Sequence, residues 1–576
     1  MTARFQARIA GATAVVAGLV AAVVATLLLG SIRDRGLATI ADPPALTELK
    51  RQLHDDPLNA AVKAQIRELD AGVRAGYLQR QRLLDSGRWV LLGAVLVAVA
   101  AGRAAVRLGS AVPHPGQADL SARAFWRQAW HAQDAVLLAV IAAGGVGFFS
   151  AWHTGGAAGT SRGAGAHSAA GAGKVPEAPV DEAVYARQWP RFRGPGGDGV
   201  AAATNVPVAW NGASGTGLAW SVDIPLPGLS SPVVWVDRVF LTGADKDRRE
   251  VYAFDRATGR ALWRTEIRAP GSDPTPPKVG DDTGYAAPTC ATDGNRVYAI
   301  FANGDLAALD MTGRVVWAEA LGPLASLYGH AASLATWRRW VIVQLDQGAA
   351  EEDKSRILAV DGATGRHMWE TARPVPNSWA TPVVGGPSAS AQLITAANPW
   401  VMGYDPATGV ERWRAEVLAQ DVAPSPVWRD GTVYAVNEGA CLAAIRAGGT
   451  GTVTATHVAW KAVDNLPDIC SPLVTGARVY LLTSSGMLTC FEAAGGHKLW
   501  EHELGGSCQA SPTLARGLVY VFLQDGTAVL VADAPEYREV ARNSLGAEGC
   551  AASPAFVDGE ILVRAKSRLF CVGARR

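Results

Sequence analysis

Short apolar runs separated by tight turns dominate the C-terminal part of the chain. In one typical stretch, the apolar run NRVYAI is followed by the turn residues FANGD and then by a second apolar run, LAALD (residues 295–310). Short runs rich in β-branched and aromatic residues, bounded by Gly, Asn and Asp, predict β-strands. Helical periodicity is lacking in these repeated stretches, and the pattern therefore predicts an all-β fold.

A motif that combines a turn with a tryptophan recurs after these strand pairs. It reads DRATGRALW at residues 255–263, DGATGRHMW at 361–369 and DPATGVERW at 405–413, with a shorter copy at 310–317 and a weaker one at 492–500. The Asp can hydrogen-bond its own backbone and the Gly can adopt a positive φ, so the motif predicts a tight turn. The Trp then opens a fourth strand, and four strands in each repeat predict the blades of a β-propeller. We expect these tryptophans to pack between neighbouring blades.

The number of blades follows from a Ser-Pro-like element at the start of each innermost strand. This element occurs around Pro232, Pro288, Ser333, Pro382, Pro426, Pro472, Pro512 and Pro554. We therefore predict an eight-bladed β-propeller, with seven blades as the alternative, because the repeats near Trp460 and Asp533 are degenerate. The last copy lacks a Trp-bearing outer strand, and a strand of that type surrounds Trp220, ahead of the first element. We expect the strand at Trp220 to complete the last blade and so to remove open sheet edges.

The N-terminal region has a different pattern, which is typical of a membrane protein. Three apolar segments, at residues 9–30, 89–108 and 135–152, predict transmembrane helices. Buried helices of a soluble domain are the alternative for the second and third segments. The charged segment 46–88 has apolar residues at spacings of three and four and is predicted to be helical. The Gly/Ala-rich residues 153–187 are expected to be a flexible linker, which leaves residues 188–576 for the propeller.

Composition and cysteine spacing remove several classes of function. The 53 Lys and Arg residues balance the 52 Asp and Glu residues, which gives no reason to expect a nucleic-acid partner. The seven cysteines include no zinc-type C-x-x-C pair and no C-x-x-C-H for a c-type haem. Cys490 and Cys571 replace a small Ala and are expected to be buried filler. Cys508 and Cys550 either face each other near the channel mouth or are small residues in tight loops.

The repeated D-x-x-T-G-x-x-x-W motif resembles the pyrroloquinoline-quinone-like (PQQ-like) β-propeller repeat family. The segment WPRFRGPGGDGV (residues 189–200) also looks like the start of the propeller in membrane or exported bacterial members. The resemblance covers roughly residues 189–576. It implies one of two roles: a cofactor-free scaffold, as in the outer-membrane assembly lipoprotein, or a quinoprotein dehydrogenase that binds PQQ with calcium. Such dehydrogenases typically carry adjacent cysteines beside the cofactor, and this chain has no Cys-Cys pair.

The same resemblance bears on where the protein is found, because both well-known branches work outside the cytoplasm. Arg4 and Arg8 favour a cytoplasmic N-terminus, which with three spans places the propeller on the other side of the membrane. The loop after the first span is rich in arginine, however, and the positive-inside rule would keep that loop in the cytoplasm. We expect a protein of the bacterial cytoplasmic (inner) membrane with an extracytoplasmic, periplasmic propeller.

Candidate ligand-binding residues follow from propeller topology, because the loop that precedes each innermost strand crosses to the central channel. The cofactor-binding candidates at this channel mouth are Tyr285, Tyr328, His330, Asn377, Trp379 and Gln509. The candidates for a calcium site are Asp421, Asp468 and Glu548, since calcium prefers oxygen ligands. An aromatic arc beside a carboxylate arc could hold a planar or cationic ligand. The alternative is that these are hydrated loop residues without a common ligand, and we predict no catalytic residue.

A polar run, VQLDQG (residues 343–348), interrupts an otherwise apolar strand. Polar side chains in a strand need either solvent or hydrogen-bond partners, and the acidic turn that follows favours an exposed strand end. For the whole protein, we expect a membrane-anchored binding scaffold that recruits a ligand or a protein partner. A PQQ-dependent oxidoreductase that uses PQQ and calcium is the alternative. A third option is a sensor that signals through the helical region.

Overall fold

The computed structural model describes residues 180–574, apart from 282, 327 and 548. The three apolar segments, the charged segment and most of the expected linker lie outside the described residues. In the part of the chain that is described, no helix has the length and apolar character needed to cross a bilayer. The described residues belong to one compact unit, Ala170–Arg576.

Eight four-stranded units make up the fold, and the prediction of an eight-bladed, all-β propeller is confirmed. The blades are numbered in chain order, and within each blade the strands run from the innermost to the outermost. Blades one to four contain β2 (Val233–Trp235), β3 (Arg238–Ala244), β4 (Arg249–Asp255) and β5 (Ala261–Glu266); β6 (Ala291–Thr292), β7 (Arg296–Ile300), β8 (Asp305–Asp310) and β9 (Val315–Ala320); β10 (Ala335–Trp337), β11 (Trp340–Leu345), β12 (Arg356–Asp361) and β13 (His367–Ala372); β14 (Val383–Gly385), β15 (Gln392–Ala397), β16 (Trp400–Tyr404) and β17 (Glu411–Glu416).

The second half of the ring repeats this arrangement. Blades five to eight contain β18 (Val427–Arg429), β19 (Thr432–Val436), β20 (Leu442–Arg446) and β22 (Val458–Ala462); β23 (Leu473–Val474), β24 (Arg478–Leu482), β25 (Met487–Glu492) and β26 (Lys498–Glu503); β27 (Thr513–Ala515), β28 (Leu518–Phe522), β29 (Thr527–Ala532) and β30 (Glu539–Ser544); β31 (Ala555–Val557), β32 (Glu560–Ala565), β33 (Arg568–Val572) and β1 (Leu218–Asp223). A further short strand, β21 (Gly451–Thr452), adds to blade four. The short helices are α1 (Glu182–Tyr185), α2 (Thr454–His457) and a 3-10 turn at Ala350–Glu352.

The last blade is completed by the N-terminal strand, as the sequence predicted. Strand β1 pairs antiparallel with β33, and Trp220 lies opposite Cys571. The ring is thereby closed by hydrogen bonds between strands that are far apart in the chain. The pairing satisfies the edge of β33 that would otherwise be open.

The hydrophobic core is divided among the junctions between blades. At the second junction, for example, Tyr298 of blade two packs in one cluster with Val343 and Leu358 of blade three. Inner strands such as β3 are nearly all buried, whereas outer strands such as β5 alternate between half-buried and exposed residues. Each blade therefore buries its faces only against its neighbours, as expected for a repeat fold.

The repeated tryptophans lie at these junctions, which confirms their predicted role. Indole nitrogens donate to backbone carbonyls of the next blade in the pairs Trp220–Arg256, Trp263–Met311, Trp317–Gly362, Trp369–Pro406, Trp460–Ala493 and Trp500–Ala534. The motif glycine lies under the ring of the preceding blade. At Gly259, where φ is +73°, an added Cβ would lie 2.6 Å from the ring of Trp220. The motif therefore requires Gly both for its turn and for this close contact.

Trp413 is the exception among the motif tryptophans. Its indole nitrogen donates to Gln392 of its own blade at 2.7 Å, and its side chain is fully buried. Strand β21, from the longer connection in blade five, pairs in parallel with the outer strand of blade four at this residue. The inserted strand covers the tryptophan, which accounts for its complete burial.

Candidate functional site: the central channel

Eight hydroxyl side chains line the central channel, one from each blade. Each lies two residues before the first residue of its innermost strand, and together they are Ser231, Thr289, Ser333, Thr381, Ser425, Ser471, Ser511 and Ser553. We refer to this set as the hydroxyl ring. Seven of its junctions are joined by a backbone N–H that donates to the hydroxyl of the next blade at 2.9–3.0 Å, in a series from Ser231 to Ser553.

The hydroxyl ring has donor capacity to spare. A hydroxyl offers one O–H proton and two acceptor lone pairs, and the series of backbone bonds uses only acceptor positions. No described protein group accepts the proton of a ring hydroxyl from Thr289 to Ser553. These protons can therefore be donated to water or to a ligand in the channel.

A second ring lies two residues before the first and forms a collar at the channel mouth. Its members are Leu229, Ala287, Ala331, Trp379, Ala423, Ile469, Gln509 and Ala551. The collar and the hydroxyl ring enclose a cavity of about 150 Å³, which Phe192 also lines. The cavity wall therefore combines hydroxyl donors, small apolar side chains, two aromatic rings and one amide.

The far end of the channel is closed by residues 189–200, which we call the cross-channel segment. It contacts at least six blades that surround the axis, through the pairs Trp189–Val234, Pro190–Thr292, Arg429–Asp198, Arg193–Pro472, Val200–Leu514 and Trp189–Phe556. The innermost strands of so many blades approach one another only at the axis, so the segment must span the channel. Phe192, in the middle of the segment, forms the floor of the cavity.

Two buried arginines flank this floor. Arg191 donates from Nε and Nη2 to the carbonyl of Pro195, at 3.2 and 2.8 Å. Arg193 donates from Nη2 to the carbonyls of Asp198 and Pro472, at 3.1 and 2.8 Å. Burial lowers the pKa of Arg193 to about 10, although the charge of Asp198 acts in the opposite direction. Arg193 therefore lies in a low-dielectric environment, beside the buried carboxylate of Asp198.

Two of the predicted cofactor-binding residues, Trp379 and Gln509, line the cavity. The indole nitrogen of Trp379 donates to the carbonyl of Gly329 at 2.9 Å, which fixes the ring against the loop before blade three. The Tyr328 ring lies 5.2 Å from the Trp379 ring and is 46% exposed, so it extends the aromatic surface to the outside of the mouth.

The other cofactor candidates lie behind this wall. His330 is buried, its Nε2 has no described hydrogen-bond partner, and burial lowers its pKa to about 4. Tyr285 is half-buried and packs against the cluster between blades one and two. Asn377 donates from its side chain to the carbonyl of Gly348 at 3.2 Å. These residues lie in loops that precede innermost strands, and among the cofactor candidates only Trp379 and Gln509 line the cavity.

The two described calcium candidates do not line the cavity. Asp421 is exposed, and Asp468 accepts a hydrogen bond from the backbone N–H of Ser484 at 3.3 Å. Glu548 lies outside the described residues. Among residues 180–574, apart from the three gaps, no three His, Cys, Asp or Glu side chains form a cluster suited to a metal ion. The calcium site remains a prediction.

The cavity wall does not suit PQQ. This cofactor is a planar quinone with several carboxylates, which need cationic partners or a metal ion. No lining residue of the cavity is ionisable. The aromatic residues Phe192 and Trp379 could stack on a planar ring, but the wall lacks partners for the negative charges. We therefore derive no chemical step through a quinone.

The polar run in β11 is buried with partners, so the hypothesis of an exposed strand end is wrong. Gln344, Asp346 and Gln347 are at most 8% exposed. Asp346 accepts two hydrogen bonds from Arg373, at 2.7 and 3.0 Å, and one from Ser378 at 2.7 Å. The partners lie 27 and 32 residues away, so a local view of the sequence could not detect them.

Sequence reasoning missed the hydroxyl ring, although a signal was present. In six of the eight elements, the residue before the proline is Ser or Thr, as in SSPVV and ATPVV. In blade two, the ring residue Thr289 comes after the proline of its element, because this proline lies earlier relative to the innermost strand than in the other blades. The role of Phe192 and of the two arginines had no such repeated signal, since the cross-channel segment occurs once.

The fold and the channel define a PQQ-like β-propeller. The chain belongs to the family described as outer membrane protein assembly factor BamB, whose profile matches residues 124–328 and 353–573. This match confirms the resemblance found in the repeats. A comparison with curated proteins found no match to the chain.

Solved structures share the fold at low sequence identity. Quinohemoprotein alcohol dehydrogenase from Comamonas testosteroni has 14% identity and a TM-score of 0.51, over 69% of this chain and 82% of that one. A europium-containing methanol dehydrogenase has 13% identity and a TM-score of 0.50, over 65% and 89%. BamB from Moraxella catarrhalis has 17% identity and a TM-score of 0.47, over 62% and 99%. At such identities, the likeness is one of fold.

Proposed function

We propose that this protein is a non-catalytic binding scaffold whose channel mouth recruits a ligand or a protein partner outside the cytoplasm. The observation that carries the proposal is the chemistry of the cavity wall. Its lining consists of hydroxyls, alanines, Leu229, Ile469, Phe192, Trp379 and Gln509. Such a wall can bind through contact area and hydrogen bonds. Its hydroxyls have no ionisable side chain beside them in the described wall that could serve as a general base for catalysis.

Membership in the BamB family supports a scaffold role, because the family description names an assembly factor. Exposure at the mouth supports it further. Ile469 of the collar is 37% exposed, and Tyr328, which packs against Trp379 of the collar, is 46% exposed. Aromatic and aliphatic side chains of this kind commonly anchor protein interfaces.

A PQQ-dependent oxidoreductase is the second candidate, and one observation favours it. Phe192 and Trp379 line the same cavity, which provides the aromatic surfaces that a planar cofactor needs. Against it, the described carboxylates Asp421 and Asp468 lie away from the cavity wall. The scaffold role requires no group that the wall lacks, and we prefer it for that reason.

Titration of the full chain with PQQ and calcium separates the two candidates. Quinone absorbance and thermal unfolding would be followed together, because a ligand specific for the folded state raises apparent stability. We expect no saturable change, and the same result for Trp379→Ala. Saturable, calcium-dependent binding that is lost in Trp379→Ala would replace the scaffold proposal with the oxidoreductase.

Site-specific photocrosslinking tests the scaffold role directly. A photoreactive side chain would replace Tyr328 at the mouth or Val410, which immediately precedes the outer strand of blade four and is 61% exposed. We expect a discrete crosslinked product in cells from the position at the mouth and a much weaker one from the outer control. Equal labelling from both positions, or none at the mouth, would count against recruitment through the channel mouth.

We further propose that the N-terminal apolar segments anchor the protein in the inner membrane, with the propeller in the periplasm. The family description, with its reference to the outer membrane, supports an extracytoplasmic location. A phosphatase that is active only in the periplasm, fused after Arg576, should be active. An inactive fusion at normal expression would place the propeller in the cytoplasm and would favour the loop-charge interpretation.

A further inference from the structure

The turn between β10 and β11 of blade three carries two arginines flanked by two tryptophans, at residues 337–340. We call these four residues the Trp-Arg tip. Trp337 and Trp340 pair across the turn, and their rings lie 5.3 Å apart in an edge-to-face arrangement. The guanidinium of Arg338 lies over the Trp337 ring, 4.5 Å from the ring centroid. The tip is therefore one cluster of aromatic and cationic groups.

Turn chemistry does not account for this composition. Arg338 has a φ of +57°, in a region of backbone conformation that favours Gly, Asn and Asp. The corresponding turns of blades five and eight carry Asp-Gly, at residues 430–431 and 558–559. Asp-Gly is the usual choice for a two-residue turn of this kind. Arginines at the tip of blade three are thus less favourable for the backbone and point to another role.

The tryptophans of the tip differ from the motif tryptophans, which fill the junctions between blades. In the part of the chain that the structure describes, Trp337 packs against none of the buried hydrophobic clusters, and Trp340 borders one of them. No acceptor is described for either indole N–H, whereas the motif tryptophans donate to backbone carbonyls. An apolar ring with a free polar N–H is the kind of side chain that collects at membrane surfaces.

The tip also carries one positive charge in excess. Arg339 pairs with Asp361 at 2.9 Å, so its charge is balanced. Arg338 is exposed, and among the described residues no carboxylate pairs with it. The nearby acidic residues of the entry segment have contacts of their own, since Asp181 caps α1 and Glu182 accepts from the Ser388 hydroxyl of blade four. Arg338 is therefore available to an external anion.

The chain enters the propeller beside this tip, at the closed end of the channel. The Tyr185 hydroxyl lies 2.8 Å from the hydroxyl of Thr336, the residue that precedes the tip. Val180 packs on the cluster that contains Trp235, at the corresponding turn of blade one. Residues 1–179, which include the predicted membrane spans, thus join the propeller on this face. A Gly-rich tether of the length of residues 153–179 has a reach of about 30 Å, which would keep the tip close to a bilayer.

We propose that the Trp-Arg tip contacts the head-group layer of a bilayer that contains anionic phospholipids. The inference rests on the membrane anchoring proposed above. The indole rings of Trp337 and Trp340 lie at the level of the head groups, and Arg338 pairs with a lipid phosphate. The channel mouth lies at the opposite end of the innermost strands, so it faces away from the bilayer and stays open to a partner.

Lipid photocrosslinking on the full chain tests the contact. The chain would carry a photoreactive phenylalanine in place of Trp337 or of Arg516. It would be reconstituted in vesicles of phosphatidylcholine with about one-third phosphatidylglycerol, which gives the surface a negative potential. Arg516 is the matched position, because it occupies the same turn of blade seven, has a φ of +44° and is exposed. We expect the lipid adduct from position 337 to be at least about fivefold stronger than that from position 516.

Flotation of the same samples separates the tip contact from the anchoring on which it rests. Equal adducts at the two positions would overturn the tip contact, as would the lack of an adduct at position 337 in chains that float with the vesicles. Both results would leave the anchoring intact. Chains that do not float would overturn the anchoring and the tip contact together. A protein adduct in place of a lipid adduct at position 337, with membranes prepared from cells, would assign the tip to a protein partner and overturn the proposal.

A second variant isolates the charge of the tip. In the chain labelled at position 337, Arg338→Gln should weaken the adduct by about fivefold on the anionic vesicles, which is the effect of one basic residue at such a surface. The same variant should have little effect on vesicles of phosphatidylcholine alone. Arg516→Gln controls for the loss of a cation elsewhere on this face. An unchanged adduct in Arg338→Gln, or an equal loss in Arg516→Gln, would contradict the recognition of anionic lipid.

Discussion

The junction between blades three and four buries an arginine beside a carboxylate, whereas the junction between blades eight and one buries an arginine among neutral oxygens. In the first, Arg373 donates to Asp346 and also to the Thr395 and Tyr404 hydroxyls, at 2.6 and 3.1 Å. In the second, Nη1 of Arg564 donates to the carbonyl and hydroxyl of Ser230 and to the carbonyl of Thr242.

The two environments act in opposite directions on the guanidinium pKa. At Arg373, burial lowers the pKa, but the charge of Asp346 and the Tyr404 contact outweigh burial and raise it. At Arg564, burial dominates and lowers the pKa to about 10. The same side chain is thus stabilised in its charged form at one junction and penalised at the other.

Sequence position explains part of this difference. Arg564 and Gln344 occupy equivalent positions in the second strands of blades eight and three. Each lies two residues after the residue that pairs with the start of the innermost strand. Blade three has Gln344 at this position, with the Asp346–Arg373 pair beside it. Blade eight has an arginine at the position itself. The closing junction has a separate ion pair, Arg256–Glu560, with a distance of 2.6 Å. The comparison shows that two junctions with the same backbone arrangement carry different arrangements of charged side chains.

The largest expected effect is at the paired junction. Asp346→Ala leaves Arg373 buried without its counter-charge, and we expect a loss of about 3–5 kcal/mol in the free energy of unfolding. The measurement is denaturant unfolding of the full chain followed by tryptophan fluorescence. The double variant Asp346→Leu with Arg373→Met should lose less than Asp346→Ala alone, because it removes both charges together. A double variant as unstable as the single one would show that shape, and not charge, governs this junction.

A buried histidine extends the comparison of buried basic groups, because a histidine, unlike an arginine, can give up its proton. Burial lowers the pKa of His330 from 6.5 to about 4 in the folded protein. The unfolded chain therefore binds more protons between these values, and stability should fall as the pH decreases from about 6.5 to about 4, by up to about 3 kcal/mol. Unfolding curves at several pH values measure this. His330→Gln should reduce the pH dependence of the free energy of unfolding in that window. An unchanged pH dependence would mean that other groups cause it.

The tryptophans of the two junctions test whether the junctions differ beyond their charges. Trp369 and Trp220 make the same contact, each donating to a carbonyl of the next blade at 3.0 and 2.9 Å. We expect Trp369→Ala and Trp220→Ala each to cost about 2–4 kcal/mol, since both rings are half-buried. Matching losses would confine the difference to the charged groups. A much larger loss at Trp220 would show that ring closure itself depends on that contact.

The smallest expected effect is at Arg564. Arg564→Met removes hydrogen bonds from a charged donor, each worth about 1.5–3 kcal/mol, and also removes the cost of burying that charge. The two terms oppose each other, so the free energy of unfolding should change by only about 1 kcal/mol. Thermal and denaturant unfolding of this variant beside Asp346→Ala provide the check. A loss as large as that of Asp346→Ala would remove the contrast between the junctions.

The sequence could predict what repeats. The Trp motif, the turn glycines and the Ser-Pro-like elements recur at regular intervals, and each copy reports the same local structure. The blade number and the closing strand at Trp220 were accessible for this reason. Among the site candidates, Trp379 and Gln509 line the cavity because they precede an innermost strand, a position that the repeat defines.

Features that occur once were outside the reach of the sequence. Periodicity determined by itself the all-β class, the blade count, the closing strand and the channel-facing loops, because these depend on local turns and alternating burial. Tertiary structure alone decided that Phe192 forms the floor, that Asp346 meets Arg373, and that Arg193 donates to the carbonyl of Pro472. These contacts join residues tens to hundreds of positions apart, for example 279 between Arg193 and Pro472. A local pattern carries no information on such pairs, since only the closed ring brings them together.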